Sequence, residues 1–440
     1  MIQEASRGAI APPRTSRPFP AHVIPAVLVL YACLLPREFT FEIADISMQP
    51  YRVVLVLILP YVLSQWSVQR LRFNFVDFLT VFSAIWIFLA LTVVESFESA
   101  LVTGLSDGLN LALAYFAGRV AIRNSDDFRR FLYAVLPGLF LCALLLATES
   151  ITHTQILRPM VASVTGVYGF YPYETRLGLM RAQGPFPHAI LGGVFMASFL
   201  PLIWYVVEKP FARTVGLVSV AGFIFSLSST GFLGIIVGGG LILTSYLQRV
   251  TKLPVFPAAI GGMLFMMVVI SVFSQGGLFV WIIHHLTFSS GTGYYRMSIW
   301  TYGGAEVMRH PIFGIGTRSY TRPYWMISPS VDAHWLYMTM RYGFPAGMSL
   351  LFSMIISAAM ALRGAWSPFS LDRKVGLAIG FSLISIIFTG LSVYLWEGMG
   401  IWMTLLTGMG VGFGARMTKA VRAVGKPVER TRPRLTPQAA

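Results

Sequence analysis

The segment 331–347, VDAHWLYMTMRYGFPAG, places an imidazole, a phenol and a guanidinium on one side of a helix. Asp332 stands just before its apolar run and suits an N-cap. His334, Tyr337, Met338 and Arg341 follow at offsets of three, four and seven, the spacing of neighbours on one helical face. The column descends roughly 10 Å at 1.5 Å per residue. It begins at a helix N-terminus, where backbone N–H groups and the dipole favour anions. A histidine near neutral pKa beside an arginine fork is equipment for moving a hydroxyl proton next to a bound anion.

Two further segments carry similar chemistry. In 294–316, YYRMSIWTYGGAEVMRHPIFGIG, Met297, Trp300 and Val307 give a partly apolar helical face, and Pro311 ends it before the turn Gly314-Ile315-Gly316. This predicts an amphipathic helix lying along a membrane surface, with Arg296 and Trp300 one turn apart. In 181–192, RAQGPFPHAILG, Arg181 precedes a Gly-Pro turn that leads into an apolar run near His188. Asp107 and Asn110, one turn apart, read as a structural polar pair, and Glu95 and Glu98 as solvated interfacial carboxylates. Phosphate-binding Gly-rich loops, HExxH and CxxC pairs are missing, so the sequence names neither a cofactor nor a metal. His284 and His285 are adjacent, and neighbouring imidazoles point apart on a helix. Cys33 and Cys142 fall inside apolar runs and read as small buried hydrophobes.

What positions these groups is an apolar chain. Of 440 residues, 55% are hydrophobic and only 12% charged, against about 25% charged in soluble domains. A spanning helix uses roughly 20 apolar residues, so the supply matches about twelve spans. Continuous apolar runs, rather than period-2 alternation, argue against a barrel. The runs lie near 21–36, 51–66, 75–94, 99–120, 128–149, 188–207, 211–227, 231–247, 254–275, 334–362, 373–395 and 397–416. The expected fold is all-α: a polytopic membrane protein with two larger outer loops, about 150–187 and 276–333. Residues 1–20 and 417–440 are basic inner tails, and 21–416 form one transmembrane domain. The first run reads as an uncleaved span rather than a signal peptide.

Charge orients the chain. Of 33 basic residues, 23 fall on the side of the two termini, which the positive-inside rule makes cytoplasmic. That accounts for most of the net charge of +15 without nucleic acid, leaving membrane lipids as partners of the basic tail. The other ten are all arginines. Eight lie in or beside the two outer loops: Arg158, Arg176, Arg181, Arg296, Arg309, Arg318, Arg322 and Arg341. A guanidinium binds phosphate oxygens two at a time, which a lysine does not.

The run from Arg296 through Trp300 to His310-Pro311 and Gly314-Ile315-Gly316, then Ala333-His334, Tyr342-Gly343 and Gly347, resembles the signature of the O-antigen ligase and polysaccharide polymerase superfamily. Arg181-Ala182-Gln183-Gly184-Pro185-Phe186 is similar to that family's arginine-plus-glycine lead into a central span. The resemblance covers about 170–350 in motifs and the whole chain in layout. It implies an inner-membrane glycosyltransferase that needs no metal and joins a glycan from an undecaprenyl diphosphate carrier to an acceptor hydroxyl at the periplasmic face. It implies that Arg181 and Arg296 hold the diphosphate and that His334 sits by the acceptor as general base. Trp335, Tyr337, Trp300 and Asp332 would position sugar and acceptor. Two positions depart from the pattern. Trp335 stands where members often have Asn, and Ser229-Thr230-Gly231 stands for Ser-Arg-Gly, leaving Arg341 or Arg318 as the candidate third arginine. The acceptor is either another lipid-linked repeat, making a polymerase and slightly favoured, or lipid A core, making a ligase. A transporter of lipid-linked sugars is the alternative of another class, but paired halves are not evident.

Overall fold

The computed structural model describes residues 18–43, 46–252, 290–367 and 369–424. The protein is mostly helical, and among the described residues eight helices are long and apolar enough to cross a membrane: α2 (Pro50–Val68), α3 (Phe75–Val94), α4 (Phe97–Ala121), α5 (Ser125–Thr152), α7 (Ala189–Val206), α9 (Ser229–Thr251), α11 (His334–Trp366) and the stretch Glu397–Met417 of α13 (Glu397–Val424). Two shorter apolar helices, Ala21–Cys33 (α1) and Pro210–Ser226 (α8), lie among them. Helix α12 (Ser370–Thr389) is as long as a span but opens on Asp372, Arg373 and Lys374. The expected span at 254–275 and residues 276–289 of the second outer loop, with His284 and His285, lie outside the described residues.

The exterior confirms the composition argument. Leu57, Leu63 and Phe75 stand 72%, 60% and 63% exposed on their helices, an arrangement suited to hydrocarbon rather than water. The interior is built around α13. Its Trp402 stacks on Phe199 (centroids 4.7 Å apart) and donates its indole N–H to Ser198 Oγ (2.9 Å), at the break that divides α7. Without water between them, helices associate by close packing of small residues. Gly408 of α13 illustrates this, for a Cβ there would meet the Tyr115 carbonyl of α4 at 1.9 Å.

Helix starts follow side-chain caps. Asn74 opens α3 by accepting from Val76 N and Asp77 N, while Asp77 accepts from Asn74 N. Asn124 caps α5 through Asp127 N, and His188 caps α7 by accepting from Ile190 N (3.2 Å). The segment expected as the first outer loop holds a short helix, α6 (Leu157–Thr165), and an antiparallel hairpin, β3 (Thr175–Arg176) with β4 (Leu179–Met180). A second hairpin, β1 (Phe41–Ile43) with β2 (Ile46–Met48), joins α1 to α2. The segment expected as the second outer loop contributes α10 (Ser290–Arg309), with Ile299 and Val307 buried and Trp300 half-exposed.

Candidate functional site

The stretch that carries Arg181 is fixed from several sides. Glu149 is buried at the end of α5 and accepts from Gln183 N (3.2 Å), Gly184 N (2.8 Å) and Ile156 N (3.1 Å). Ser150 donates to Met180 O, and Ala182 N donates to Phe225 O. Arg158, only 2% exposed, pairs with Glu38 (2.8 Å) and donates to Gln183 Oε1 (2.6 Å). Backbone groups of 182–184 are thereby satisfied inside the protein, and Arg181 is left with a fixed origin.

From that origin Arg181 reaches a cavity of about 310 Å³ lined by Glu174, Arg176, Arg181, His188, Ser228, Ser229, Arg296 and Asp332. Three guanidiniums face two carboxylates. Arg181 is ion-paired with Glu174, and Arg176 donates to Leu227 O (3.1 Å). Arg181 Nε, Arg296 Nε and Ser228 Oγ are all buried with no hydrogen-bond partner among the described residues. Burial, then the charge of Arg181, pulls Arg176 below the ordinary guanidinium range. Burial does the same to Arg296, opposed by Asp332. His188 is held below its ordinary value of 6.5 by burial and then by Arg181. All three shifts express positive charge crowded in a poorly solvated space, which an anion with several acceptor oxygens relieves.

His334 lies beside this cavity. Its backbone N–H donates to Gly390 O (2.7 Å), which ties the start of α11 to the loop after α12. Leu395 N donates to its Nδ1 (3.4 Å), and its Nε2 is buried with no partner among the described residues. The ring lines a second cavity of about 280 Å³ together with Arg52, Asp107, Asn110, Tyr342, Trp396 and Glu397. Arg52 lies 3.8 Å from Asp107, and Arg37 lies 3.4 Å from Glu397. An aromatic row connects the parts. Tyr337 stacks on Tyr394 (3.8 Å), Tyr394 on Trp396 (5.5 Å), and Trp396 meets His188 (6.3 Å), while His334 stacks on Tyr394 (5.5 Å). His188 belongs to the arginine cavity and Trp396 to the His334 cavity, so the two adjoin across that contact.

The structure brings together Arg181, Arg296 and Asp332, and sets His334 next to them. It corrects the role given to Asp332. The N-cap of α11 is Ala333, with no side-chain cap bond, and Asp332 lines the arginine cavity instead. It also divides the expected column. His334 and Met338 line the second cavity, whereas Tyr337 and Arg341 line a third, with Arg318. Neither Arg341 nor Arg318 therefore completes the arginine cluster, and Arg176 occupies that place. Trp335 lines none of these three cavities; it is 5% exposed and donates its indole N–H to Ile387 O (2.9 Å). Trp300 lines none of them either, and its indole N–H donates to Leu391 O (3.2 Å). Asp107 and Asn110 face the His334 cavity, and Glu95 accepts from Thr317 N rather than being solvated alone.

The glycine signature has a mechanical reading. Helix α11 breaks at Gly343 (φ 82°, ψ 169°), which frees carbonyls of the preceding turn. The turn Gly314–Gly316 fills them: Ile315 N donates to Met340 O (2.9 Å) and Gly316 N to Arg341 O (3.0 Å), while Phe344 N donates to Pro311 O (2.8 Å). A Cβ at Gly343 would lie 1.9 Å from Ile312 O, and one at Gly314 2.5 Å from Arg341 O. Among the described residues no group of acidic, histidine or cysteine side chains is placed to hold a metal ion. The chain matches no protein-family profile and no curated protein.

Proposed function

We propose that this protein is a bacterial inner-membrane glycosyltransferase that moves a glycan from an undecaprenyl diphosphate carrier to a sugar hydroxyl at the periplasmic face. The observation that carries the reading is the cavity where Arg176, Arg181 and Arg296 converge, with two guanidinium Nε groups and Ser228 Oγ buried and without a partner among the described residues, beside His334. A diphosphate leaves readily once its charge is neutralised, and preorganised donors in a dry site do that at low reorganisation cost. Twelve spans, with one supplied by 254–275 and both termini cytoplasmic, give the topology that the basic-residue distribution favours.

In this reading the acceptor hydroxyl attacks the anomeric carbon with inversion, the carrier diphosphate leaves into the arginine cluster, and His334 manages the hydroxyl proton. Two roles fit the ring. With Nδ1 accepting from Leu395 N, the neutral ring carries its proton on Nε2 and donates to the acceptor oxygen, and the hydroxyl proton then passes to the departing carrier diphosphate. As a general base it must hold the proton on Nδ1 instead. His334→Gln keeps a donor and removes the base, so transfer at background level in that variant supports the base. Transfer within tenfold of wild type assigns the donor role, and near-normal transfer by His334→Ala removes His334 from the reaction.

The polymerase and ligase readings share this chemistry and differ in acceptor. A gel of surface glycans from a deletion strain separates them. Single repeats on the core mean a lost polymerase, and a bare core with long lipid-linked chains means a lost ligase. An unchanged glycan pattern overturns the proposal.

A further inference from the structure

The third cavity is about 410 Å³ and is lined by Thr317, Arg318, Ser319, Tyr320, Ser328, Ser330, Tyr337 and Arg341. Its size falls within the usual range for small-molecule sites. Four hydroxyl side chains and two phenol rings are the groups that bind a sugar: hydroxyls exchange hydrogen bonds with it, and ring faces pack on its C–H surface. Among the described residues the charge is one-sided, for no carboxylate lines it. Arg318 donates to Val94 O (2.7 Å), and Arg341 lies over the Tyr337 ring (4.9 Å), contacts that orient both guanidiniums, while the charge of Arg341 also acts on Glu95 and Asp107 from outside the cavity lining. Neither arginine has an ion pair among the described residues. Glu95, the carboxylate on this side, accepts from Thr317 N and from Ser99 Oγ.

Tyr320 supplies an independent pointer. It is 3% exposed, and its hydroxyl is buried with no partner among the described residues. A buried hydroxyl left without a hydrogen bond is costly, so it marks a place where a polar ligand atom is wanted. The walls are fixed rather than loose. The Gly314–Gly316 turn is bonded to α11, Arg322 donates to Met326 O (2.8 Å), and Arg322 lies over the Tyr320 ring. Position matters as well. Tyr337 forms one wall and stacks on Tyr394, which stacks on His334. The cavity thus lies at the other end of the aromatic row from the arginine cluster.

We infer that this cavity is an acceptor-side subsite that selects a saccharide carrying a negative charge, either a carboxylate or a phosphate ester. The inference rests on the glycosyl-transfer reading only for the word acceptor. The binding of an anionic sugar stands on the cavity itself. With the carrier diphosphate at Arg176, Arg181 and Arg296, an acceptor sugar at His334 extends its neighbouring residue toward Tyr337 and Arg341.

Binding tests it without the lipid donor. Full-length protein in detergent is titrated with a glucuronic-acid disaccharide, its neutral glucose counterpart, glucose 6-phosphate and inorganic phosphate, read by saturation-transfer NMR and calorimetry. The two charged sugars are expected to bind at least tenfold tighter than the neutral disaccharide and than inorganic phosphate. Arg341→Gln and Arg318→Gln remove that preference, Tyr320→Phe weakens binding severalfold, and Arg181→Gln leaves it unchanged. Equal binding of charged and neutral sugars overturns the inference, as does loss of the preference in Arg181→Gln. Inorganic phosphate binding as tightly as the sugars reduces the cavity to an adventitious ion site and also overturns it. If charged sugars bind as stated while no transfer from a lipid diphosphate is measurable, the subsite stands and the transfer reading falls.

Discussion

Replacing Arg181 by lysine separates a fork from a point charge. The arginine pairs with Glu174 through one terminal nitrogen and keeps Nε buried in the cavity. A lysine ammonium keeps the ion pair, but its single nitrogen cannot also stand where Nε stands. On the proposed reading the variant therefore loses one charge-assisted hydrogen bond to the leaving diphosphate. Such a bond is worth about 1.5–3 kcal/mol. At about 1.36 kcal/mol per decade, transfer falls roughly ten- to 150-fold. Because the diphosphate gains charge only as the glycosidic bond breaks, the loss belongs mainly to kcat rather than to KM. The assay uses full-length protein in nanodiscs, a synthetic polyprenyl-diphosphate disaccharide and a chromatographic readout. Glu174→Gln is the matched control, since removing the competing carboxylate frees the terminal nitrogen and should leave the donor KM equal or lower. A lysine variant within threefold of wild type refutes the reasoning, and so does a loss confined to KM.

Other perturbations read the scaffold. Gly343→Ala forces a side chain into a backbone region open essentially to glycine and against Ile312 O at 1.9 Å; the strain alone is about 1–3 kcal/mol, so the detergent-solubilised protein should melt several degrees lower, and an unchanged melting temperature contradicts the account of the α11 break. Glu149→Gln turns an acceptor of three backbone N–H groups into a group with two donors, which should cost about 1–3 kcal/mol and reduce transfer by displacing Arg181; full activity with normal stability would show that Glu149 does not position that loop. His188 favours its neutral form in the folded protein, so below pH 6.5 the unfolded chain binds more protons and stability falls as pH falls. His188→Asn, which retains a capping acceptor, should flatten that dependence in melting curves between pH 7 and 5, and a slope equal to wild type would assign it elsewhere.

Hydropathy made the spans legible because one solvent dictates them. The expected 75–94 matches α3, and 128–149 sits inside α5, whose start is set by Asn124. Arg181 and Arg296 stood out because they are arginines in segments expected on the side where basic residues are scarce. Arg176 shared that signal, but only the hairpin turns it into their cavity. The column of His334, Tyr337, Met338 and Arg341 is a helical face about 100° wide, and offsets of three and four lean to opposite sides of its midline. The face straddles a ridge, the stack of Tyr337 on Tyr394, so its two edges look into different cavities. Tyr394 and Trp396 escaped notice for the converse reason. Apolar runs expected at 373–395 and 397–416 nearly touch, and hydropathy does not distinguish a span end from a short extended loop whose rings wall a site.

The two acids in the arginine cavity explain how such a cluster survives without its anion. Three guanidiniums within about 310 Å³ repel strongly where water is scarce. Glu174 and Asp332 offset most of that repulsion and leave a surplus of one positive charge. On the proposed reading, a diphosphate entering the cavity meets donors already oriented but partly committed, and its ground-state gain is small. On that reading the charge rises as the carrier leaves, and the Nε groups of Arg181 and Arg296, without a partner among the described residues, gain most at that moment. Partial neutralisation by Glu174 and Asp332 thus shifts favourable interaction from substrate binding toward bond breaking, the condition for faster turnover rather than tighter binding. Removing both acids at once, Glu174→Gln with Asp332→Asn, should tighten binding of the lipid diphosphate while lowering kcat. If kcat rises with affinity, the carboxylates serve only to hold the empty cluster together.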